Sequence, residues 1–377
     1  MRLIAIYRIR CSPDDIGRKA EALAIEQSVE LPLEALSDRA ILEDIVGRVD
    51  DIADLGGGSY RVRVALAAQT VGGEAGQLIN ILFGNSSLHE DVSLEDAELP
   101  PDLAAAFGGP ASGVEGLRMR IGAARRALTC AAIKPQGLPP SGLADLVYRF
   151  ALGGIDFVKD DHGLADQAYS PFAARVAACA EAARRAAAQT RHPTRYVPNI
   201  SGNLDQLREQ TRIARSEGLD TLLVAPMVLG LPAFHAIARE NQDMAFLAHP
   251  AMAGAARISP PLLLGKLFRL LGADAVIFPH HGGRFGYSAK TCGAIAFAAR
   301  AAWGPLAPMM PVPAGGMSLD RLGEILTFYG RDTMILIGGS LLMARERLTE
   351  ASADFVRQAA LLSEENGDGR DQALPRA

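Results

Sequence analysis

Short apolar runs alternate with helical patterns over most of the chain. Each run ends in polar or glycine residues, and the stretch that follows has the three-to-four-residue periodicity of an amphipathic helix. The predicted strands are 129–134, 157–161, 195–200, 221–226, 245–249, 275–279, 310–313 and 334–337. The predicted helices between them include 143–151, 173–188, 204–216, 261–271, 290–301 and 319–329. Eight strand–helix units over about 230 residues predict a (β/α)₈ TIM barrel. The alternative is an open doubly wound sheet, but its G-x-G-x-x-G turn after the first strand is absent.

The first 110 residues have a different pattern. Predicted strands at 3–10, 45–52 and 60–67 and predicted helices at 14–27 and 75–83 fit a β-α-β-β-α-β order. This order indicates a small ferredoxin-like α+β domain with an antiparallel sheet. A glycine and proline cluster at 108–113 then marks a boundary. We predict an N-terminal domain at 1–110, a barrel with the active site at 111–360 and a polar tail at 361–377.

The amino-acid composition and net charge exclude several classes of protein. The 377 residues are 49% hydrophobic, which is enough for a sizeable core. A net charge of −5 and a pI near 5.9 argue against a nucleic-acid partner. Four scattered cysteines without C-x-x-C spacing favour reduced thiols, with Cys130 as a packing residue. The pattern lacks a signal peptide and an apolar run of about 18 residues, so we expect a soluble, cytoplasmic protein without membrane contacts.

The residues that close the predicted strands are unusually polar. In a TIM barrel the chemistry lies at the carboxyl ends of the strands, which is where these residues fall. They are Lys134, Lys159, Asp160, Asp161, His162, Asn199, His249, His280, His281 and Arg284, together with glycine turns at 315–316 and 338–339. Such a concentration of charge at one rim predicts a catalytic site.

The run Lys159-Asp160-Asp161-His162 predicts a metal site. Charges at a strand end are costly to bury unless a cation or one another compensates them, and Mg²⁺ takes carboxylate ligands. A solvated cluster of loop charges is the alternative. The glycine turns at 315–316 and 338–340 lie where barrels often bind phosphate, although each turn alone is a weak signal. His280 and His281 are candidate acid–base groups, and His249 is either a site residue or a core histidine.

Several motifs in order resemble one family over nearly the whole chain. They are Ile133-Lys134-Pro135, the run from Gly153 to Asp161, Ser170-Pro171-Phe172, Pro198-Asn199-Ile200, Ala314-Gly315-Gly316-Met317, Ile337-Gly338-Gly339 and, upstream, Phe83-Gly84-Asn85. This set resembles the large subunit of ribulose-bisphosphate carboxylase (RuBisCO). The ordered combination is far more specific than any of its members.

The departures from that family are equally informative. Gln136 replaces the second lysine of Lys-Pro-Lys, His162 replaces the glutamate of the metal triad, and Ala314 replaces a serine. Segment 247–251 lacks the His-Arg pair that binds the distal phosphate, and segment 280–286 lacks the lysine that positions CO₂. These features resemble the RuBisCO-like proteins, the non-carboxylating branch.

The resemblance implies a mechanism and an assembly. It implies a homodimer whose active site is shared between subunits, with Asn85 reaching the substrate. It implies Mg²⁺ held by a CO₂-derived carbamate on Lys159, by Asp161 and by a less certain third ligand, His162. Lys134 would be the acid–base or electrostatic partner of an enolate. Phosphate would bind at Gly315, Gly316, Gly338, Gly339 and Ser340, and the other substrate contacts would be Asn199, His249 and Arg284.

We therefore expect a Mg²⁺-dependent enzyme, a lyase or isomerase, acting through an enediolate on a phosphorylated keto sugar or keto sugar acid. Fixation of CO₂ is not expected. Decarboxylation or another C–C cleavage is slightly favoured, because His280 and His281 could protonate the product enediolate. One alternative is an enolase or isomerase of a methylthioribulose-type sugar phosphate. Another is a catalytically silent paralogue that binds a sugar phosphate, an option favoured by His162 in place of glutamate.

Overall fold

The computed structural model of the protein describes residues 1–367. The chain divides into two compact units. The first contains residues 1–108 with the segments 252–263 and 303–306, and the second contains the other described residues. Within residues 1–367, every helix is too short or too polar to cross a bilayer.

The first unit is an antiparallel sheet with helices. Its strands are β1 (Arg2–Arg10), β2 (Arg48–Asp54), β3 (Ser59–Ala67) and β4 (Val92–Glu98), and its helices are α1 (Ile16–Glu26), α2 (Ala75–Phe83) and α3 (Pro101–Phe107). The strands lie in the order β2-β3-β1-β4, with β1 paired to β3 and β4. Alternate residues of β3 are buried, as expected for a sheet with one covered face. The predicted ferredoxin-like fold is confirmed.

One strand of this unit begins later than predicted, and another had no predicted bounds. The strand predicted from residue 45 begins at Arg48, because Ile41–Ile45 form a π-helical turn. Gly47, just before β2, lies so close to the carbonyl oxygen of Ala24 that a Cβ atom would collide with it. The closing strand β4 was expected from the element order without bounds. Its outer edge receives the 252–263 segment, where Leu94 N donates to Arg257 O at 2.9 Å.

The second unit is a parallel barrel. Its strands are β5 (Leu128–Ala132), β6 (Phe157–Lys159), β7 (Arg195–Val197), β8 (Thr221–Val224), β9 (Ala245–Ala248), β10 (Ala275–Pro279), β11 (Met310–Ala314) and β12 (Met334–Leu336). They form the sheets β12-β5-β6-β7 and β11-β10-β9-β8. A bridge between Asn199 and Leu223 joins β7 to β8, and β11 lies against β12, where Thr333 Oγ1 donates to Pro311 O at 3.0 Å. The predicted TIM barrel is confirmed.

One helix precedes the first barrel strand, and the other helices of this unit follow the strands along the chain. They are α4 (Gly113–Ile121), α5 (Pro140–Leu152), α6 (Phe172–Thr190), α7 (Leu204–Ser216), α8 (Pro226–Leu229), α9 (Leu231–Glu240), α10 (Phe268–Leu270), α11 (Ala289–Arg300), α12 (Leu322–Tyr329), α13 (Gly339–Leu342) and α14 (Leu348–Gly367). The helix predicted over 261–271 is a π-helix, Pro261–Leu267, followed by the short α10. Helix α14 continues past residue 360, and residues 368–377 of the predicted tail lie outside the described residues.

The barrel interior is packed with apolar side chains. Inward residues from the strands, including Cys130, Phe157, Leu223, Ile277 and Met334, form one buried cluster. Val114, Leu117 and Ile121 of α4 belong to the same cluster, so this helix covers one end of the barrel. A packed interior leaves the strand ends as the place for chemistry.

Candidate active site

Asp161 lies between two basic side chains just beyond the end of β6. Its carboxylate accepts a hydrogen bond from Lys134 Nζ at Oδ2, and Oδ1 lies 2.8 Å from His162 Nδ1. Lys134 follows β5, the neighbour of β6 in the sheet, so adjacent strand ends bring these groups together. Burial alone would raise the pKa of Asp161, but the contacts with His162 and Lys134 hold it well below its ordinary value. Asp161 is therefore an ionised oxygen donor.

Lys159 is the last residue of β6, and its side chain is buried. Its Nζ atom donates to the main-chain oxygen of Asp160 at 2.9 Å. Burial is the largest influence on the amine and lowers its pKa, against the opposing charge of Asp161. A lowered pKa favours the neutral amine, which is the form that adds to CO₂.

Asp160, the neighbouring carboxylate, is fully buried and has fixed partners. Its Oδ2 accepts from Arg175 Nε at 3.1 Å and from the main-chain N–H of Asn199 at 3.0 Å. Its Oδ1 accepts from the Tyr196 hydroxyl at 2.7 Å. Asp160 thus joins β6 to β7 and α6, which leaves Asp161 as the carboxylate available to a ligand.

Asn199 fixes the loop that carries His162. Its Nδ2 donates to the main-chain oxygens of His162 at 3.2 Å and Leu164 at 2.7 Å. Its Oδ1 atom is buried without a hydrogen-bond partner among the described residues. The amide therefore holds the loop and keeps one unused acceptor.

His249 follows β9 and supports the ring of His162. The two imidazoles stack with centroids 3.9 Å apart. His249 Nδ1 accepts from the N–H of Ala251 at 3.1 Å, and burial, aided by the charges of Lys159 and His162, lowers the pKa of His249 to about 2. A neutral, fixed ring follows from these contacts.

His280 and His281 follow β10 and meet the side chains of α12. His280 is buried, with Nδ1 2.9 Å from the Tyr329 hydroxyl and Nε2 3.4 Å from Arg321 Nη2. Because a guanidinium can only donate, Nε2 is the acceptor and Nδ1 carries the hydrogen. Burial, then the charges of His281 and Arg321, lower the pKa of His280 to about 4. His281 packs against Phe328 at 4.8 Å, and its Nε2 is buried without a hydrogen-bond partner among the described residues.

The loop after β10 is packed on the glycine turn after β11. Arg284 N donates to Gly315 O at 3.1 Å, and the Arg284 guanidinium lies over the Phe285 ring at 5.0 Å. Gly315 and Gly316 have φ angles of 88° and 95°, which side-chain-bearing residues rarely adopt. Two segments predicted to bind substrate are therefore in direct contact.

The turn after β12 shares a cavity with the first group. Lys134 and Gly339 both line this cavity of about 440 Å³, together with Arg149 and Arg345. Gly338 lies against Ala132 at the end of β5, and Ser340 is half-buried in α13. The other lining residues are apolar, so three cationic side chains and a glycine turn border a largely apolar space beside Lys134.

Asn85 lies in the first unit, directly after α2. It is exposed, and its Nδ2 donates to Glu26 Oε1 at 2.9 Å. Its assignment to substrate binding stays a prediction.

The structure brings most of the predicted site residues into three groups. Lys134, Lys159, Asp161, His162 and His249 form the first, His280 and His281 belong to the second, and Arg284 lies with Gly315 and Gly316 in the third. Three partners of the second group were not predicted from the sequence: Arg321, Glu324 and Tyr329. The three-residue spacing of Arg321 and Glu324, which pair with each other, was the available signal.

The first group fits Mg²⁺ if Lys159 is carbamylated. This hard cation prefers oxygen ligands, and Asp161 supplies them directly. Lys159 has no oxygen of its own, but its buried amine is suited to carbamate formation. The imidazole of His162 is a weaker ligand for Mg²⁺. A separate cluster, His280, His281 and Glu324, places one possible ligand atom from each residue within 4.8 Å of the others.

Known proteins resemble this chain closely. The family model of the ribulose bisphosphate carboxylase large chain, catalytic domain, matches residues 113–373. RuBisCO-like protein 1 of Rhodopseudomonas palustris is 56% identical over 359 residues, covering 95% of this chain and 98% of that protein. The 5-methylthioribulose-1-phosphate isomerase of Rhodospirillum rubrum is 57% identical over 360 residues, covering 95% and 96%.

A comparison of folds agrees with these sequence relationships. The crystal structure of a RuBisCO-like protein from Rhodopseudomonas palustris superposes with a TM-score of 0.89 at 52% identity, covering 95% of this chain and 97% of that one. The chain therefore belongs to the ribulose bisphosphate carboxylase large-chain family. The motifs had predicted this family, and the prediction is confirmed. Within the family, the chain is an enzyme of the RuBisCO-like, non-carboxylating branch.

Proposed function

We propose that this enzyme isomerises a phosphorylated ketose of the 5-methylthioribulose-1-phosphate class through an enolate. The observation that carries the proposal is the contact of Asp161 with Lys134 beside the buried Lys159, at the ends of adjacent strands. The substrate class is supported by the relative of that name, which is 57% identical to this chain.

The chemistry begins with removal of a proton from the carbon beside the carbonyl group. Negative charge then develops on the carbonyl oxygen, and preorganised positive charge stabilises it. Mg²⁺ held by Asp161 and by a carbamate on Lys159 would supply much of that charge. His162 would be a weak third ligand or a proton carrier.

Lys134 is the proposed acid–base or electrostatic partner of the enolate. Its Nζ is held by Asp161, so the ammonium is fixed beside the residues assigned to the metal. A fixed ammonium needs no reorganisation when charge develops on the substrate. A proton at Nζ is also placed where it can be passed to or from the enolate.

His281 is the better candidate of the histidine pair to return a proton to carbon. Both ring nitrogens of His280 have partners, whereas Nε2 of His281 has none among the described residues. The same pair would protonate an enolate left after loss of CO₂. C–C cleavage, which the sequence alone slightly favoured, is therefore our second candidate, behind the isomerisation supported by the relative of that name.

The substrate in this proposal carries one phosphate. The glycine turns at 315–316 and 338–339 with Ser340 are the assigned phosphate site, and Lys134 and Gly339 share a cavity with two arginines. Segment 247–251 reads Leu-Ala-His-Pro-Ala, without the His-Arg pair for a second phosphate. A monophosphate with an apolar far end fits these residues.

We propose a homodimer in which Asn85 of each subunit contacts substrate bound in the other. Sedimentation velocity and the activity of an Asn85→Ala variant, mixed with an inactive Asp161→Asn variant, test this point. Rescue of activity on mixing supports a shared site, whereas a monomeric, fully active Asn85→Ala variant contradicts it.

The reaction is tested with purified protein, Mg²⁺ and bicarbonate. 5-Methylthioribulose 1-phosphate is incubated in D₂O, and ³¹P and ¹H NMR follow isomer formation and exchange of the proton beside the carbonyl group. We expect exchange and a new phosphate ester without CO₂ release, and neither with Asp161→Asn. CO₂ release from keto sugar-acid monophosphates, without any isomerisation, would move the assignment to the lyase.

A further inference from the structure

Three possible metal ligands converge beyond the end of β10, apart from the Lys159–Asp161 group. One ligand atom each from His280, His281 and Glu324 lies within 4.8 Å of the others. Two imidazoles and a carboxylate suit a borderline transition ion such as Zn²⁺ far better than Mg²⁺. Glu324 is exposed, so an ion from solvent can reach the cluster.

His280 is held as metal-ligating histidines usually are, and His281 has an unused ring nitrogen within the described part of the chain. His280 uses Nδ1 to contact the Tyr329 hydroxyl at 2.9 Å, and such a contact fixes the ring and leaves Nε2 for an ion. His281 Nε2 is buried without a hydrogen-bond partner among the described residues, so this ring nitrogen is unused. A buried, unsatisfied ring nitrogen calls for an explanation.

A side-chain cation already lies among these ligands. Arg321 Nη2 is 2.9 Å from Glu324 Oε1 and 3.4 Å from His280 Nε2, and Arg321 Nε is 3.1 Å from Glu324 Oε2. Arg321 Nη1 also donates to Gly282 O at 3.2 Å. The guanidinium therefore occupies the position between two of the three ligands, and an entering ion must displace it.

From these contacts we propose that His280, His281 and Glu324 bind a divalent transition ion of the Zn²⁺ class in exchange for the Arg321 guanidinium. This site is distinct from the Mg²⁺ site at Asp161. The existence of the His280–His281–Glu324 site does not depend on the proposed reaction. The effect of a bound ion on activity rests on the proposed function, because an ion on His281 prevents that ring from carrying a proton and so inhibits isomerisation.

Cobalt is the probe, because Co²⁺ replaces Zn²⁺ and its visible d–d absorption reports nitrogen ligation at low coordination number. The full-length protein is titrated with Co²⁺ in excess Mg²⁺. We expect one absorbing site that is lost in His281→Ala and Glu324→Gln and retained in Asp161→Asn. Glu346→Gln, which changes an exposed glutamate outside the cluster, is the matched control and should bind Co²⁺ as the wild type does.

Arg321→Met gives the sharpest test. Removing the competing cation should tighten Co²⁺ binding by about three- to fivefold, the amount expected for releasing a partly exposed ion pair. Unchanged or weaker binding in this variant overturns the exchange. Loss of the band in Asp161→Asn, with retention in His281→Ala, overturns the site itself. His281→Gln, which keeps the side chain's bulk, replaces His281→Ala if circular dichroism shows that the alanine variant is unfolded.

Discussion

The imidazole rings of His162 and His249 stack face to face, with centroids 3.9 Å apart and planes inclined by 11°. His162 follows β6 and His249 follows β9, so the stack joins strand ends from the two sheets of the barrel. The N–H of Ala251 fixes His249, and His249 in turn fixes the ring whose Nδ1 meets Asp161. The residue that we propose as a weak third metal ligand is thus held by a partner across the rim.

Replacing His162 with glutamate should tighten Mg²⁺ binding and lower turnover of the native substrate. The carboxylate is a better ligand for a hard cation than imidazole is, but it loses both the stack on His249 and a group able to carry a proton. Isothermal titration with Mg²⁺ and kcat measured at saturating Mg²⁺ separate the two effects.

The His249→Asn variant is the matched control for that experiment, because it removes the stack and leaves His162 in place. It should lower turnover without tightening Mg²⁺ binding. Full turnover by His162→Glu would show that His162 carries no proton in the reaction.

Lys159→Ala should abolish turnover, and wild-type activity should rise after preincubation with bicarbonate and Mg²⁺. Only a carbamate gives this buried side chain an oxygen for the cation. Initial rates with and without preincubation, together with the ¹³C NMR signal of a carbamate from labelled bicarbonate, measure the effect.

The exposed Lys290 at the start of α11 supplies the control for that test. Lys290→Ala should retain both the activity and the response to bicarbonate. Full wild-type activity in CO₂-free buffer with EDTA would refute both the carbamate and the cation.

Much of this fold was predictable from the pattern of apolar and polar residues alone. Buried parallel strands such as Ala245–Ala248 and Ala275–Pro279 are continuous apolar runs, and their alternation with helices identified the barrel. One predicted bound was wrong. The strand β2 begins at Arg48 rather than at residue 45, because Ile41–Ile45 form a π-helical turn that the local pattern of apolar residues does not report.

In the candidate site too, local motifs were predicted and contacts between distant residues were not. Residues next to one another in a motif, such as Lys159 and Asp161, were found because strand ends concentrate chemistry. The side chains that contact these residues from distant positions in the sequence were not predicted. Tyr329 lies 49 residues from His280, and Arg175 reaches Asp160 from within an alanine-rich helix whose pattern indicates only packing. Contacts between residues so far apart in the sequence form only in the assembled barrel, and a single sequence does not reveal them.

Asp156 should make stability depend on pH in the acid range. Arg126 binds its two carboxylate oxygens at 2.6 Å each, Thr129 N donates to it at 2.8 Å, and His192 Nε2 lies 3.2 Å away. Burial alone would raise the pKa of Asp156, but these partners lower it. Its stabilisation is therefore present above the ordinary aspartate pKa of about 4 and is lost as the pH falls through the lower folded-state value.

Urea unfolding of wild type and Asp156→Asn between about pH 7 and pH 3 measures that dependence. The variant should be less stable by roughly 3–5 kcal/mol at pH 7, because it leaves Arg126 without its buried partner, and the difference should shrink below about pH 4. Asp205→Asn, at a side chain 91% exposed, should change little at any pH. A constant difference across the range would contradict the role of ionised Asp156.

The loop after β10 contains two glycines whose substitution should have opposite outcomes. A Cβ atom on Gly283 would collide with the carbonyl oxygen of Gly315 and lie 3.1 Å from His280 O, whereas a Cβ atom on Gly286 meets nothing within 4 Å. Gly283→Ala must therefore push the loop off the β11 turn and displace His281 and Arg284 together. Since a displacement of about 1 Å can cost about 100-fold in rate, kcat/KM should fall by about that factor, with little change in Tm. Gly286→Ala should match the wild type in both. Equal activity of the two variants would show that contact between the loop and the glycine turn is not needed for the reaction.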